Sequence, residues 1–402
     1  MKFNTFKLEE VCELITDGSH SSPKAVTNGY KMLSVKDMGA FDFDYENAKQ
    51  ISEEDYIKLK KGNCQPIKND VLIAKDGNSC LEYCFVFREN KSVVLLSSIA
   101  ILRPNLDVIN PYYLMYYLGM ESTKKALRDG YLSGSAIPRV VLKDFKKFPL
   151  KIPNIDVQNR IVHLIRNINA KMENDVKSIA NLEHLSQTLF KHWFIDFEFP
   201  NEQGNPYKSS GGEMMESELR EIPRGWETIE FKEIMKISSG KRPKKKVNDI
   251  DEENVIPIIG ASKLMGFTNE FLYDSPILVI GRVGTHGVVQ KLIEPCWPSD
   301  NTLIIESELY NFAYEFLKII DYKSLNRGST QPLITQSDIK ARKLAFPTNE
   351  NLVKKFESTL TSLLEKQFLL KKEIQKLEEL RDALLPKLLS GEIEMPDDLE
   401  VK

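Results

Sequence analysis

Few cysteines, no long apolar run and almost no net charge exclude several protein classes before any motif is read. The five cysteines (Cys12, Cys64, Cys80, Cys84, Cys296) are scattered through 402 residues. An odd, dispersed set makes no disulfide framework, and Cys80 and Cys84 lack the second Cys or His pair of a zinc site. Reduced thiols are expected. The longest apolar stretch, residues 92–102, is far short of the ~20 residues that span a bilayer. The opening MKFNTFKLEEVCEL places Glu9 and Glu10 where a signal peptide carries its apolar core. A soluble, cytoplasmic chain without membrane contact is expected. The formal net charge is −3, so a nucleic-acid partner would need a local basic surface or basic partner subunits.

Catalytic signatures are also missing. Asn110-Pro111-Tyr112-Tyr113 approaches the Asn-Pro-Pro-Tyr loop of amino-methyltransferases, but lacks its second proline and an upstream glycine-rich cofactor turn. Asn110 as cap and Pro111 at the first helical position account for it as a helix start. Asp76 with Glu89-Asn90-Lys91 fits a metal-nuclease spacing only loosely, and reads as a turn and a hairpin tip. Gly281, Gly284 and Gly287 lack the Gly-Lys-Ser/Thr of a phosphate loop. The five histidines (His20, His163, His184, His192, His286) fall in no nucleophile signature, and no metal ligand set is assigned. A non-catalytic chain is expected.

What is present is a duplication. Gly134-Ser135-Ala136-Ile137-Pro138 through Lys146 has a counterpart in Gly328-Ser329-Thr330-Gln331-Pro332 through Lys340, and the offset of 194 holds to Pro153 and Pro347. Leu72 to Gly77 resembles Val279 to Gly284, and Leu8-Glu9-Glu10-Val11 resembles Phe231-Lys232-Glu233-Ile234, with Gly18 or Gly240 soon after. Four matches in one order, at a period far too long for a solenoid, indicate a duplicated domain. Each copy reads as α+β: strands at Val71–Ala74, 93–102, Ile256–Ile259, Ile277–Gly281 and 302–305, and short helices at 112–118 and 312–320. Residues 198–221, rich in Pro, Gly and Ser, have linker composition.

Each copy is followed by a long heptad-like helix. The first carries Ile161, Ile165, Ile168, Met172, Ile179, Leu182, Leu189 and Trp193, interrupted by Asp175 and Ser186. The second carries Phe356, Leu360, Leu363, Leu370, Ile374, Leu377, Leu384 and Leu388, with Gln367 and Arg381 in the seam. Such a pattern predicts coiled-coil packing, most simply of one helix against the other and antiparallel; packing of each on its own domain is the alternative. Pro386 lies near the end of the second helix, and Gly391 just past it is the stop signal.

Basic residues supply the candidate phosphate contacts. Lys241-Arg242-Pro243-Lys244-Lys245-Lys246 is the densest basic run, and like charges in one loop gain from a phosphate neighbour. A solvated loop neutralised by Asp249, Asp251, Glu252 and Glu253 is the alternative, on equal footing. Lys75 and Arg282 occupy matched strand-to-turn positions in the two copies, suited to phosphate or to an ordinary salt bridge.

Several segments together resemble the specificity subunit of type I restriction-modification systems. Glu221-Ile222-Pro223-Arg224-Gly225-Trp226 looks like the family's lead-in to a target-recognition domain. The segments from Gln187 to Glu198 and from Leu384 to Ile393 look like the ends of its two helical regions. Ile137-Pro138-Arg139 and Gly328-Ser329-Thr330-Gln331-Pro332 look like the loop before the last strand of each recognition domain, which adds Arg139, Thr330 and Gln331 to the candidate DNA contacts. The first copy lacks the Pro-x-Gly-Trp lead-in, and Leu352 stands in the second helix where the first has Gln158. The resemblance implies recognition domains at 1–152 and 223–347, a central helical region at 153–197, a linker at 198–222, a C-terminal helical region at 348–393 and a tail at 394–402. The two helices would form an antiparallel coiled coil with pseudo-two-fold symmetry. It further implies double-stranded DNA, methyltransferase (M) subunits and restriction/motor (R) subunits as partners. No cofactor is expected in this chain, with S-adenosylmethionine, Mg2+ and ATP held by those partners. A coiled-coil scaffold that never touches DNA, and an enzyme acting on DNA by itself, are the competing classes.

Overall fold

A computed structural model describes residues 2–133, 138–282, 287–322, 324–325 and 333–396. The chain divides into two units, one of Met1–Asn174 with Glu373–Lys402 and one of Asp175–Lys372. The division falls inside the two long helices rather than at the edges of the duplicated domain, because each unit contains one copy of that domain and one end of both helices.

The two units repeat one sheet plan. In unit 1 a four-stranded antiparallel sheet runs in the order Cys12–Asp17, Ile99–Pro104, Val71–Ala74, Cys84–Val86. Its counterpart in unit 2 runs Lys236–Ser239, Thr302–Glu306, Ile277–Gly281, Val289–Leu292. The central strands, Val71–Ala74 and Ile277–Gly281, are apolar throughout and wholly buried, as a strand covered on both faces must be. A three-stranded sheet accompanies each, with Tyr30–Leu33 parallel to Val93–Leu95 in unit 1 and Ile256–Ile259 parallel to Trp297–Pro298 in unit 2. A two-stranded pair closes each domain, Asn4–Lys7 with Pro149–Ile152 and Trp226–Glu230 with Lys343–Pro347.

Individual hydrogen bonds confirm the repeat at each offset seen in the sequence. Leu8 N–H donates to the Phe148 carbonyl at 2.9 Å, and Phe231 N–H to that of Arg342 at 2.7 Å. Val140 N–H donates to the Lys75 carbonyl at 2.9 Å, and Ile334 N–H to that of Arg282 at 3.1 Å. A Cβ on Gly18 would collide with the Leu95 carbonyl, and one on Gly240 with that of Ser299. Only glycine permits that approach.

The central helix spans Ile155–Phe190 and ends in a π-helical turn, Lys191–Ile195; the C-terminal helix spans Glu350–Ser390 and stops at Gly391, whose φ is +81°. Within unit 1 the first half of the central helix packs on the end of the C-terminal helix: Ile161 and Ile165 share a core with Leu384 and Leu388, and Lys171 pairs with Glu373 at 2.9 Å. Within unit 2 the end of the central helix meets the start of the other, with Trp193 and Phe194 rings 5.8 and 4.9 Å from Phe356. The helices are therefore antiparallel in both units. Ile165, Met172, Trp193 and Leu370 are buried, and Ile179, Leu182, Leu189, Leu363, Ile374, Leu377 and Leu384 half-buried. The polar interruptions stay in the seam, with Asp175, Ser186 and Gln367 buried.

Three expectations need correction. Residues 93–102 are two strands of different sheets, separated by a turn through Leu96-Ser97-Ser98. Glu89-Asn90-Lys91 is no hairpin tip: the flanking strands Cys84–Val86 and Val93–Leu95 belong to different sheets, so the triplet links sheets. Residues 198–222 are folded rather than a loose tether. Phe199 stacks on Tyr207 and on Trp226 at 4.6 and 5.2 Å, and Met214–Met215 pairs with Ile222–Pro223.

Gln158 shows how the helix start is locked to unit 1. It is fully buried, its Oε1 accepting from Asn110 N–H at 3.0 Å and its Nε2 donating to the Val108 and Pro153 carbonyls at 3.0 and 2.9 Å. In unit 2, where Leu352 replaces it, Glu357 accepts from the Asn311 and Phe312 amides at 3.2 and 2.6 Å.

Candidate nucleic-acid interface

Each four-stranded sheet ends in a corner where the first strand passes into a loop through the matched glycine. In unit 2 Lys241 N–H donates to the Pro298 carbonyl at 3.0 Å, Gly240 N–H to that of Thr302 at 3.1 Å and Arg282 N–H to that of Asn301 at 2.9 Å. Three backbone bonds thus tie Lys241 and Arg282 to one short turn. The Trp297 indole also donates to the Lys241 carbonyl at 2.7 Å. The basic run begins on a rigid base.

Along that run the charges differ. Lys244 reaches Glu270 at 3.8 Å and Lys245 reaches Glu253 at 3.2 Å. Lys241, Arg242 and Lys246 are exposed and, among the described residues, make no ion pair. Of the downstream acids only Glu253 pairs with the run; Asp251 instead accepts from the Glu253 and Asn254 amides at 2.9 and 2.7 Å. Those bonds hold its carboxyl below the usual range, the Asn254 amide foremost. Neutralisation by the acids is therefore partial.

Lys75 is placed differently from a phosphate contact. It is buried, and its Nζ lies 2.6 Å from Asp17 Oδ2, which also meets His20 Nε2 at 3.3 Å. The salt-bridge alternative is what the structure contains, and a buried, satisfied ammonium is not presented to DNA. Arg282 is half-buried and, among the described residues, its side chain meets no acid. Arg139 is exposed, with its guanidinium on Asp76 Oδ1 at 3.1 Å. Thr330 and Gln331 lie outside the described residues. Asn110 caps the helix Pro111–Gly119, its Oδ1 accepting from the Tyr112 and Tyr113 amides at 2.9 and 3.3 Å. The sequence had pointed to that helix start.

The family model for the type I restriction modification DNA specificity domain matches residues 1–184 and 223–379. The chain belongs to this family. Both recognition domains and most of both helices lie within the match. A specificity subunit of the type I restriction enzyme MjaIX from Methanocaldococcus jannaschii is 27% identical, over 73% of this chain and 71% of its own. That of HindI from Haemophilus influenzae is 23% identical, over 87% of this chain and 90% of its own. The crystal structure of an S subunit from M. genitalium shares the fold, with a TM-score of 0.58 at 16% identity over 98% of this chain and 97% of that one. This specificity subunit has the family's α+β architecture, two similar recognition domains each followed by a long helix. Among the described residues no helix is long and apolar enough to cross a membrane.

Proposed function

We propose that this specificity subunit reads a bipartite double-stranded DNA target, one half-site per recognition domain, and docks M and R subunits. The observation that carries the proposal is the duplicated corner. The same sheet and glycine hold two loops of different sequence, Ser19-His20-Ser21-Ser22 and Lys241-Arg242-Pro243-Lys244. One scaffold carrying two different loops suits two different half-sites, since base-edge contacts specify and backbone contacts only position. Docking is supported by apolar side chains that the long helices leave exposed, Val176, Leu185, Leu369 and Leu380. The chain performs no chemistry of its own in this reading. S-adenosylmethionine binds the M subunits, and ATP and Mg2+ the R subunits, in the cytoplasm.

The test is reconstitution. The purified chain with its cognate M subunit and S-adenosylmethionine should methylate adenine in one bipartite sequence, and the chain alone should transfer no methyl group. Transfer by the single chain would overturn the non-catalytic role. A reconstituted complex without salt-dependent DNA binding would leave the scaffold reading instead.

A further inference from the structure

The matched corners of the two recognition domains are not electrically equivalent. The shared hydrogen bonds align Gly18 with Gly240 and Lys75 with Arg282. Strand register completes the alignment: Asp17 lies opposite Ala100, one residue past Ile99, and Ser239 opposite Leu303, one residue past Thr302. Asp17 therefore corresponds to Ser239, Ser19 to Lys241 and His20 to Arg242. On the adjoining turn Ser97 corresponds to Asp300, as Ser98 and Asn301 accept the Lys75 and Arg282 amides.

Charge at these positions follows. In unit 1 the Lys75 ammonium is cancelled by Asp17 at 2.6 Å, and Ser19 and Ser97 are neutral. In unit 2 the acid at the Asp17 position is gone: Ser239 Oγ accepts from Gln336 Nε2 at 3.1 Å. Arg282 thus loses the partner that Lys75 keeps, while Lys241 and Arg242 add two exposed cations against the single exposed carboxylate of Asp300. One fold element is neutral in one copy and cationic in the other. Among the described residues none of these three cations meets an acid, and like charges gathered on one corner gain from an approaching anion.

We propose that Lys241, Arg242 and Arg282 are the phosphate anchor of the subunit, and that the matched corner of unit 1 contributes little to salt-dependent affinity. This rests on the DNA-recognition reading above and adds a division of labour to it. Both domains specify sequence, whereas the corner of unit 2 holds the backbone. Phosphate contacts release condensed counterions, so each steepens the fall of log affinity with log salt by ~0.9. Three contacts are worth a slope of about 2.7, or about forty-fold in affinity between 50 and 200 mM salt.

The experiment measures DNA affinity against salt for the full chain reconstituted with its M subunit. Lys241→Ala/Arg242→Ala/Arg282→Ala should flatten the slope by roughly 2–3 while the methylated sequence stays the same. A second variant adds charge to exposed positions of unit 1, His20→Arg/Ser22→Lys, and should steepen the slope by about 2. It also serves if the triple variant folds poorly. A wild-type complex that selects no sequence would sink the recognition reading itself. A complex that selects its sequence, with a slope that neither variant moves, overturns the anchor alone.

Discussion

Lys75→Ala separates the two roles that a basic residue at that position can have. In the structure Lys75 is 5% exposed and its Nζ is 2.6 Å from Asp17 Oδ2, whose side chain is 12% exposed. Removing the ammonium leaves a nearly buried carboxylate whose other contact is His20, a side chain 78% exposed. An exposed partner of that kind recovers little. Breaking a buried pair from one side costs ~3–5 kcal/mol. For a unit of about 200 residues that lowers the midpoint by roughly 6–20 °C. All three tryptophans, Trp193, Trp226 and Trp297, lie in unit 2, so their fluorescence does not follow this loss. Amide hydrogen exchange in Val71–Ala74 and Ile99–Pro104 does, and protection there should fall by about two to four orders of magnitude. Asp17→Leu/Lys75→Met, which removes both charges, should regain most of it. Unchanged protection with a flatter salt dependence of DNA binding would refute the structural role and return Lys75 to the phosphate contacts.

Two further outcomes follow from named groups. Glu315 is almost fully buried, and burial pushes its carboxyl from 4.5 up to about 7 against the pull of Lys291. The folded state then keeps a proton that the unfolded chain gives up, so the stability of unit 2 should fall as pH rises from about 4.5 to about 7. Glu315→Gln should flatten that fall in tryptophan-monitored denaturation, and an unaltered pH profile would remove Glu315 as its source. A four-residue insertion at Ser178 adds about 6 Å to the central helix and turns its remainder by only ~40° relative to the seam. If the long helices set the spacing between the two half-sites, then at ~3.4 Å per base pair the gap between them in the methylated motif should grow by one or two base pairs, the half-sites unchanged. An active insertion variant with the original gap would show that the helix does not set it.

Much of this fold was legible because its signals are local. Val71–Ala74, Ile256–Ile259 and Ile277–Gly281 are short β-branched or aliphatic runs bounded by breakers, and each is a strand with those bounds. Asn110-Pro111 announces a helix through cap and fixed φ, and the heptad seams announce helices by period. What escaped depends on contacts distant in sequence. Leu96 prolonged an apolar run across a turn that Ser97 and Ser98 alone betray. The segment after residue 197 looked like a tether by composition, yet Phe197, Phe199 and Tyr207 alternate closely enough to have suggested packing. The pairing of Lys75 with Asp17 spans 58 residues and leaves no mark in a single sequence. Nor does the replacement of that acid by Ser239 in the second copy, which emerges only when the two corners are aligned by their hydrogen bonds.

The most direct measurement is the methylated motif of a complex whose subunit carries another family member's recognition domain in place of residues 223–347. Two independent readers on one scaffold require that exactly one half of the motif change, the other half and the adenine chemistry being retained. Sequencing of methylated DNA from cells carrying the chimaeric and parental systems reads this out. A change in both halves, or in neither while methylation persists, would contradict recognition divided between the two domains.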